Sequence, residues 1–310
     1  THYKHQTNAD KEKLFEPLRK EMAAAREEWS GDPIWGTPKM RTSEAYIKHL
    51  REMTLKEDAT IIEGDRAQKE KFFDEALASF PEALWTDGCA APTVNDYKVH
   101  FDLKPGAKSV QAQPFHLSPY DECRVEFHIE DNVRLGKLKP IDIRTEKLPD
   151  WSTPAFVVDH SRKGLLGRLV CAFGPLNAAL VPVSFPSADP DAAFTACAGK
   201  AFHATMDCIW GFTQIPLDNA TADLLTLRTT RGLLRPCVLV FGPKPGPAIM
   251  QQLMDTALET EHEGQTPLRD DGGELINCAF IDDLHIGTQD SIGNMTDDGI
   301  IELHKEHCIR

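Results

Sequence analysis

Apolar positions recur every three or four residues in the first 80 residues, which predicts amphipathic helices. Leu14, Leu18, Met22 and Ala25 form the first apolar stripe, behind a candidate N-cap at Asn8. A second helix is predicted over 43–57, and a third follows residue 65. We expect these stripes to pack either on the body of the protein or on a partner. Residues 1–86 are therefore interpreted as a helical N-terminal arm.

From residue 87 the pattern changes to short β-branched runs broken by Pro and Gly, which is typical of an α+β domain with many turns. The segment CAFIDDLHIG (278–287) has two short apolar runs around an Asp pair, which predicts a hairpin with carboxylates at its tip. The segment AFHATMDCIWGFTQIPL (201–217) predicts a strand that Asp207 interrupts and that resumes towards its end.

Three carboxylates in these segments, Asp207, Asp282 and Asp283, are the candidate chemistry. Adjacent carboxylates repel each other, and a shared divalent cation relieves that repulsion. Asp is also a common turn residue, so the pair alone is an ambiguous signal. If the strand lies beside the hairpin, Asp207 and Asp282 would be able to bridge two Mg²⁺ ions, the arrangement used in phosphoryl transfer.

Charge is distributed unevenly along the chain, whose formal net charge is −14. Residues 201–310 hold 7 Lys+Arg against 17 Asp+Glu, a net charge of −10. Because phosphate contacts require Lys and Arg, this acidity disfavours a free-standing nucleic-acid binder.

The remaining composition favours an intracellular globular protein. A hydrophobic content of 41% in 310 residues is enough to bury a core. The apolar runs fall far short of the ~18 residues that span a bilayer, so we expect no membrane span. The eight cysteines form no CxxC pair, which indicates neither a zinc knuckle nor a disulfide framework.

Seven segments, taken in order, resemble the Ty3/gypsy-type reverse transcriptase of long-terminal-repeat retroelements. The resemblance is collinear over about 80–310. The segments are DYKVHFDLKPGAKSVQAQPFHLSP (96–119), RLGKLKPID (134–142), WSTPAFVV (151–158), RLVCAFGPLN (168–177), Asp207 with GFTQIPL (211–217), FGPKPGPAIMQQLM (241–254) and FIDDLHIG (280–287).

The resemblance implies an α+β reverse-transcriptase-like fold over 87–310, with fingers at about 96–200 and a palm at about 201–310. The palm would be an antiparallel sheet with helices on one face, and we expect no thumb or RNase H domain. By position, Asp207 and Asp282 resemble the principal ligands of two Mg²⁺ ions. Asp283 resembles the second acid of the YxDD box, here FIDD.

Four further positions match nucleotide-binding residues of that family. Arg168 resembles the fingers arginine that contacts the triphosphate, and Gly242 would let the backbone approach the nucleotide. Phe212 resembles the aromatic residue under the incoming sugar, although an ordinary core Phe is the alternative. Gln251 resembles a residue of the helix under the templating base, and a plain helix start containing Pro is the equally good alternative.

Two motifs depart from the family pattern. The pattern FGLxNAPxxFQ becomes FGPKPGPAIMQ, with prolines at 243, 245 and 247 in a turn where donors are expected, and each Pro lacks an N–H. The pattern RLCVDYRxLN becomes RLVCAFGPLN, so Ala172 and Gly174 replace an acid and an Arg. We therefore expect weakened nucleotide binding and the loss of an ion pair in the fingers.

These departures favour a domesticated, non-catalytic module that acts as a structural or docking subunit of a larger assembly, such as the mitochondrial ribosome or another organellar ribonucleoprotein. Its protein partners would contact the N-terminal arm and the acidic palm. The chain begins at Thr1 without Met, so organelle import or a trimmed chain is expected.

Two alternatives remain. The first is an active RNA-directed DNA polymerase that uses two Mg²⁺ ions. The second is a single-strand nucleic-acid binder in which Trp85, Trp151 and Trp210 stack on bases, although core packing is the commoner role of Trp.

Overall fold

Residues 8–30, 66–75, 97–160, 164–183, 198–208, 210–259 and 277–289, with isolated positions between them, are described in the structure, a computed structural model. The chain divides into two compact units. The first unit comprises Thr1–Ser30, Pro92–Ser184 and Trp210–Gly246. The second comprises Gly31–Ala91, Phe185–Ile209 and Pro247–Arg310. Most of the helix predicted over 43–57 lies outside the described residues, as does Trp85.

Short elements make up both units. The helices, in chain order, are α1 (Asn8–Ser30), α2 (Arg66–Glu75), α3 (Pro119–Arg134), α4 (Gly174–Ala179), α5 (Asn219–Leu224) and α6 (Gly246–Glu259). The strands are β1 (Leu138–Pro140), β2 (Thr153–Val158), β3 (Arg168–Cys171), β4 (Phe202–Asp207), β5 (Leu227–Thr229), β6 (Gly232–Pro236), β7 (Asn277–Phe280) and β8 (Asp283–Thr288). Single 3₁₀ turns lie at Gly164–Leu166 and Gly211–Gln214.

The first unit contains a five-stranded sheet in the order β1-β6-β5-β2-β3. Only the β2–β5 pair is parallel, and the other pairs are antiparallel. The sheet joins strands from both sides of residue 200, where the sequence predicts the boundary between fingers and palm. The predicted domain boundaries stay a prediction.

Helix α1 confirms the first predicted helix and packs inside the first unit. Leu18 is fully buried and Met22 nearly so, in a cluster with Phe127 of α3. The carboxylate of Glu21 accepts hydrogen bonds from the backbone N–H groups of Leu165 and Leu166. The apolar stripe of this helix therefore packs on the body of the protein.

Helix α3 begins with the signals that its sequence predicts. Ser118 caps the helix by accepting a hydrogen bond from the N–H of Asp121, and Pro119 occupies the first turn.

Helix α2 confirms the start of the third predicted helix, whose continuation over 76–80 lies outside the described residues.

The second unit contains an antiparallel three-stranded sheet in the order β4-β8-β7. The hairpin predicted around FIDD is confirmed as β7 and β8. The interruption at Asp207 is confirmed, because β4 ends there and the chain forms a 3₁₀ turn over Gly211–Gln214. The prediction that the strand resumes is wrong as to a named strand, since in the described part of 208–217 only isolated bridges follow, from Pro216 to Val238 and from Leu217 to Val99. Trp210 has a left-handed φ of 51°, which an extended strand cannot accommodate.

The architecture confirms the predicted mixture of helices with small antiparallel and mixed sheets, and it is consistent with a reverse-transcriptase-like fold in general. Its finer division into fingers and palm stays a prediction. No helix in the described part of the chain is both long enough and apolar enough to cross a membrane.

Candidate functional site

The three candidate acids lie at one end of the sheet in the second unit. Asp207 is the last residue of β4 and pairs directly with Asp283, the first residue of β8. Asp282 occupies the turn between β7 and β8, and its carbonyl accepts a hydrogen bond of 2.9 Å from the N–H of Cys208. The acids expected from sequence therefore come together, with Asp283 rather than Asp282 opposite Asp207.

This clustering raises the pKa of the Asp207 carboxyl above its ordinary value. Partial burial is the largest cause, and the charges of Asp282 and Asp283 add to it. The Cys208 thiol shows the same influence, because burial and then the three carboxylates raise its pKa. The end of the sheet is thus a locally negative site that favours a cation.

The donor chemistry of this site fits Mg²⁺, which prefers carboxylate oxygens. Two such ions would supply activation of a 3′ hydroxyl and stabilisation of the leaving oxygen. In the described part of the chain, however, no group of three or more His, Cys, Asp or Glu side chains is arranged to hold an ion. The strand register brings the three acids to one end of the sheet, as Mg²⁺ binding requires. Their carboxylate side chains would have to change rotamer in order to share an ion. The metal-binding roles stay predictions.

One face of this sheet carries polar side chains next to the acids. His203 and Thr205 precede Asp207 on the same face of β4, and His285 of β8 lies opposite Thr205. The His203 Nδ1 and His285 Nε2 atoms are 3.0 Å apart. Burial lowers the pKa of His285, and the neighbouring His203 and Lys200 lower it further. The sequence analysis missed this polar face, although the alternation in FHATMD and DLHIG signals it.

Three of the predicted nucleotide-binding residues meet in the first unit around a residue that the sequence analysis did not single out, Phe241. The Arg168 guanidinium lies over the Phe241 ring, 5.7 Å from its centroid. The rings of Phe212 and Phe241 are 5.0 Å apart. Phe212 is 8% exposed and Phe241 is 48% exposed, so Phe241 covers Phe212 and presents its other side to solvent.

Gly242, the next residue, has a φ of +114°, a conformation that favours glycine. A Cβ atom at this position would lie 3.1 Å from the Phe173 ring. The backbone at Gly242 is thus closely approached by the protein's own Phe173.

The turn that follows is held by Asn177 of α4. Its side-chain amide donates to the carbonyl of Gly242 (3.0 Å) and accepts from the N–H of Lys244 (2.7 Å). The N–H of Gly246 donates to the carbonyl of Pro243 (3.0 Å). Pro243 and Pro245 are both buried. The N–H groups of Lys244 and Gly246 are therefore already used within the protein.

Gln251, the fourth predicted nucleotide-binding residue, lies in the second unit on α6 and is 5% exposed. Its side chain makes hydrogen bonds to the backbone of Ala279, in β7, and of Ile281, the first residue of the β7–β8 turn. The structure thus divides the predicted site residues into two groups, Gln251 with the three acids in one unit and Arg168, Phe212 and Gly242 in the other. Each of the seven assigned roles stays a prediction.

Two of the three Trp residues considered for stacking on bases, Trp151 and Trp210, have other contacts within the first unit, and Trp85 lies outside the described residues. Trp151 is 6% exposed, so its ring belongs to the core. The Lys137 ammonium lies over the Trp210 ring, 3.5 Å from its centroid. Burial lowers the pKa of Lys137 to about 8. Neither described ring is presented to a ligand in the way that the single-strand binding alternative requires.

Comparison with known proteins supplies relatives for most of the chain. The chain is 26% identical over 242 residues to the enzymatic polyprotein of cauliflower mosaic virus (strain BBC). The aligned region covers 75% of this chain and 33% of that protein. It is 28% identical over 189 residues to the enzymatic polyprotein of figwort mosaic virus (strain DxS), covering 60% of this chain and 26% of that protein.

A transposon protein gives a similar match. The retrovirus-related Pol polyprotein from transposon opus of Drosophila melanogaster is 23% identical over 226 residues, which covers 71% of this chain and 20% of that protein. The chain spans about a third or less of the length of these curated relatives. No protein-family profile matches the chain.

The relatives are caulimovirus and transposon polyproteins, so the narrower Ty3/gypsy assignment stays a prediction. The similarity extends over about three quarters of the chain, and the motifs noted above run in order through the same part of the sequence. The chain is therefore homologous to Pol polyproteins of caulimoviruses and of a transposon, which supports a retroelement reverse-transcriptase-like region.

Proposed function

We propose that the chain is a domesticated reverse-transcriptase-like fingers and palm module that acts as a structural or docking subunit of a larger assembly and does not polymerise DNA. The observation that carries this proposal is the turn over 241–246, in which two residues are prolines and the N–H groups of Lys244 and Gly246 already donate within the protein. An organellar ribonucleoprotein is one setting for such a subunit.

The turn offers few donors to a nucleotide. Pro243 and Pro245 have no N–H, and the N–H groups of Lys244 and Gly246 donate to Asn177 and Pro243. At most the N–H groups of two of the six residues, Phe241 and Gly242, are left for a ligand. Backbone donors that already have partners within the protein bind a phosphate only if those hydrogen bonds are given up, and each such bond contributes about 0.5–1.5 kcal/mol.

The charge of the predicted palm supports the same proposal. Residues 201–310 have a net charge of −10, whereas a duplex requires Lys and Arg against its phosphates. Because the apolar stripe of α1 is buried against α3, docking through this helix would use its exposed charged residues, among them Lys13, Glu16 and Lys20. A partner at that surface would therefore be polar.

Nucleotide binding tests the proposal. We expect the wild type to show no saturable binding of a fluorescent deoxynucleoside triphosphate at up to ~1 mM with Mg²⁺, the weak end of ordinary affinities. A Pro243→Leu and Pro245→Asn double variant restores the residues of the FGLxNAPxxFQ pattern and should gain binding. Pro247→Ala is the matched control, because the pattern itself has Pro at this position, so that of the three prolines only Pro243 and Pro245 depart from it. Micromolar binding by the wild type would overturn the proposal.

An active RNA-directed DNA polymerase is the second candidate function. Two observations favour it: Asp207 lies opposite Asp283 and next to Asp282, and Arg168 and Phe212 meet at Phe241. The acids would hold two Mg²⁺ ions, and the Arg would contact the triphosphate. This candidate requires nucleotide incorporation that depends on Asp282, which the first proposal excludes.

A further inference from the structure

The side chain of Gln251 makes hydrogen bonds to the backbone where β7 enters the turn that carries the acids. Its Oε1 accepts a hydrogen bond of 2.8 Å from the N–H of Ile281. Its Nε2 donates to the carbonyl of Ala279 (3.0 Å) and to the carboxylate of Asp255 (2.7 Å). Both amide hydrogens are therefore used, and the side chain is 5% exposed.

The turn needs such support because its sequence disfavours its conformation. Ile281 has a left-handed φ of 61°, which is uncommon for a β-branched residue and costs roughly 1–2 kcal/mol. Two-residue hairpin turns with positive φ prefer Asn or Gly at this position. A group outside the hairpin is in place to stabilise the turn, because the amide of Gln251 contacts the backbone on either side of Phe280, at the Ala279 carbonyl and at the N–H of Ile281.

We infer that Gln251 is a positioning residue for the acid cluster, which holds the Ile281–Asp282 turn so that Asp282 and Asp283 lie beside Asp207. It acts through the turn and not through a templating base, since its amide has no spare N–H and is buried. A glutamine is required because the site needs an acceptor for Ile281 and a donor for Ala279 on one side chain.

Asp255 completes the arrangement from the same helix. It lies one turn after Gln251 on α6 and accepts the second amide hydrogen, which fixes which end of the amide faces Ile281. A glutamate at 251 would keep the acceptor for Ile281, lose both donors and add a charge beside Asp255. In Gln251→Glu the Ile281 amide should therefore be less protected from hydrogen exchange than in the wild type. It should be more protected than in a variant whose side chain at 251 has no acceptor.

Hydrogen exchange and Mn²⁺ binding, measured on the full chain, test the inference. We compare Gln251→Met, which keeps the volume and removes the hydrogen bonds, with Gln251→Glu and with Gln252→Ala. Gln252 is the exposed neighbour on the same helix and is the matched control. Exchange is followed at the Ile281 amide, Mn²⁺ binding by electron paramagnetic resonance, and folding by circular dichroism.

In Gln251→Met we expect at least tenfold faster exchange at the Ile281 amide and at least fivefold weaker Mn²⁺ binding. Gln251→Glu should show an intermediate exchange rate, and Gln252→Ala should match the wild type in both measurements. Unchanged exchange at Ile281 in Gln251→Met overturns the inference, as does unchanged Mn²⁺ affinity when the turn has lost its protection. Absence of Mn²⁺ binding by the wild type also overturns the positioning role.

The metal readout rests on the metal site of the second candidate function. Neither readout uses a nucleotide, so failure here is distinguishable from failure of the proposed function.

Discussion

Asp207 and Asp283 are register partners across β4 and β8, so their carboxylates lie on the same face at the end of one sheet. Directly opposed like charges destabilise an antiparallel pair. The two-metal site predicted from the sequence would use this pair. A cation between the two carboxylates would relieve the repulsion.

Replacement of Asp207 by Asn should stabilise the metal-free protein. The substitution removes one charge from a cluster in which burial and the other two acids raise the pKa of Asp207. Because Asp207 is exposed, we expect a gain of less than about 1 kcal/mol in the free energy of unfolding, measured by urea denaturation.

Mg²⁺ should then distinguish the two proteins, because a ligand that binds only the folded state stabilises it. The wild type should gain stability on addition of Mg²⁺, and Asp207→Asn should not. Asp150→Asn, at an exposed position in the first unit, is the charge-matched control. Equal responses of all three proteins would show that Asp207 does not bind the ion.

Asn177→Ala should loosen the turn over 241–246. The variant loses hydrogen bonds to the carbonyl of Gly242 and the N–H of Lys244, which should cost about 1–3 kcal/mol in the free energy of unfolding. The Lys244 amide should exchange faster with solvent. If its exchange rate stays the same, Asn177 does not hold the turn, and the observation behind the proposed function is lost.

The sequence predicted the local features well. Its two short apolar runs around FIDD were sufficient for the hairpin, and the stripe through Leu18 and Met22 was sufficient for α1. Both depend on a pattern within one segment. The register that places Asp283 opposite Asp207 depends on pairing between strands some 75 residues apart, which no local pattern encodes.

The errors and omissions have the same origin. The predicted strand past Asp207 failed because apolar residues 208–217 match a strand as well as a 3₁₀ turn, and the left-handed backbone of Trp210 is set by tertiary contacts. The contacts of Phe241 with Arg168 and Phe212 join three separate segments. The hydrogen bonds of Gln251 join α6 to the hairpin, so its role was invisible in the motif alone.

Leu18→Ala tests whether α1 is an integral part of the first unit. Leu18 is 0% exposed and contacts the cluster around Phe127, so its truncation should cost about 2–5 kcal/mol in the free energy of unfolding. Lys20→Ala, on the exposed side of the same helix, should cost less than about 0.5 kcal/mol. Equal small effects would mean that α1 is a detachable arm.

His100 should give the first unit a pH-dependent contribution to stability. Its hydrogen bond to Asp218 raises the pKa of His100 above the ordinary value, and the nearby charges of Asp218 and Asp102 assist. The contribution is therefore fully present below about pH 6.5, the ordinary pKa of His, and is lost as the pH rises through the higher folded-state pKa. Because His100 is exposed, its size should be below about 1 kcal/mol.

The difference between the wild type and His100→Gln isolates this contribution from that of other titrating groups. Urea midpoints should differ most near pH 5.5 and converge near pH 9. His116→Gln, at a position outside this contact, serves as the control. A difference that grows with rising pH would mean that the folded-state pKa of His100 is lowered instead.

Primer extension is the most direct test of the proposed non-catalytic function. A DNA primer on an RNA template is incubated with all four deoxynucleoside triphosphates and Mg²⁺ or Mn²⁺, using the wild type, Asp282→Asn and the Pro243→Leu, Pro245→Asn double variant. We expect the wild type to extend the primer no further than Asp282→Asn does. Extension by the wild type that Asp282→Asn abolishes would contradict the proposal and establish the polymerase.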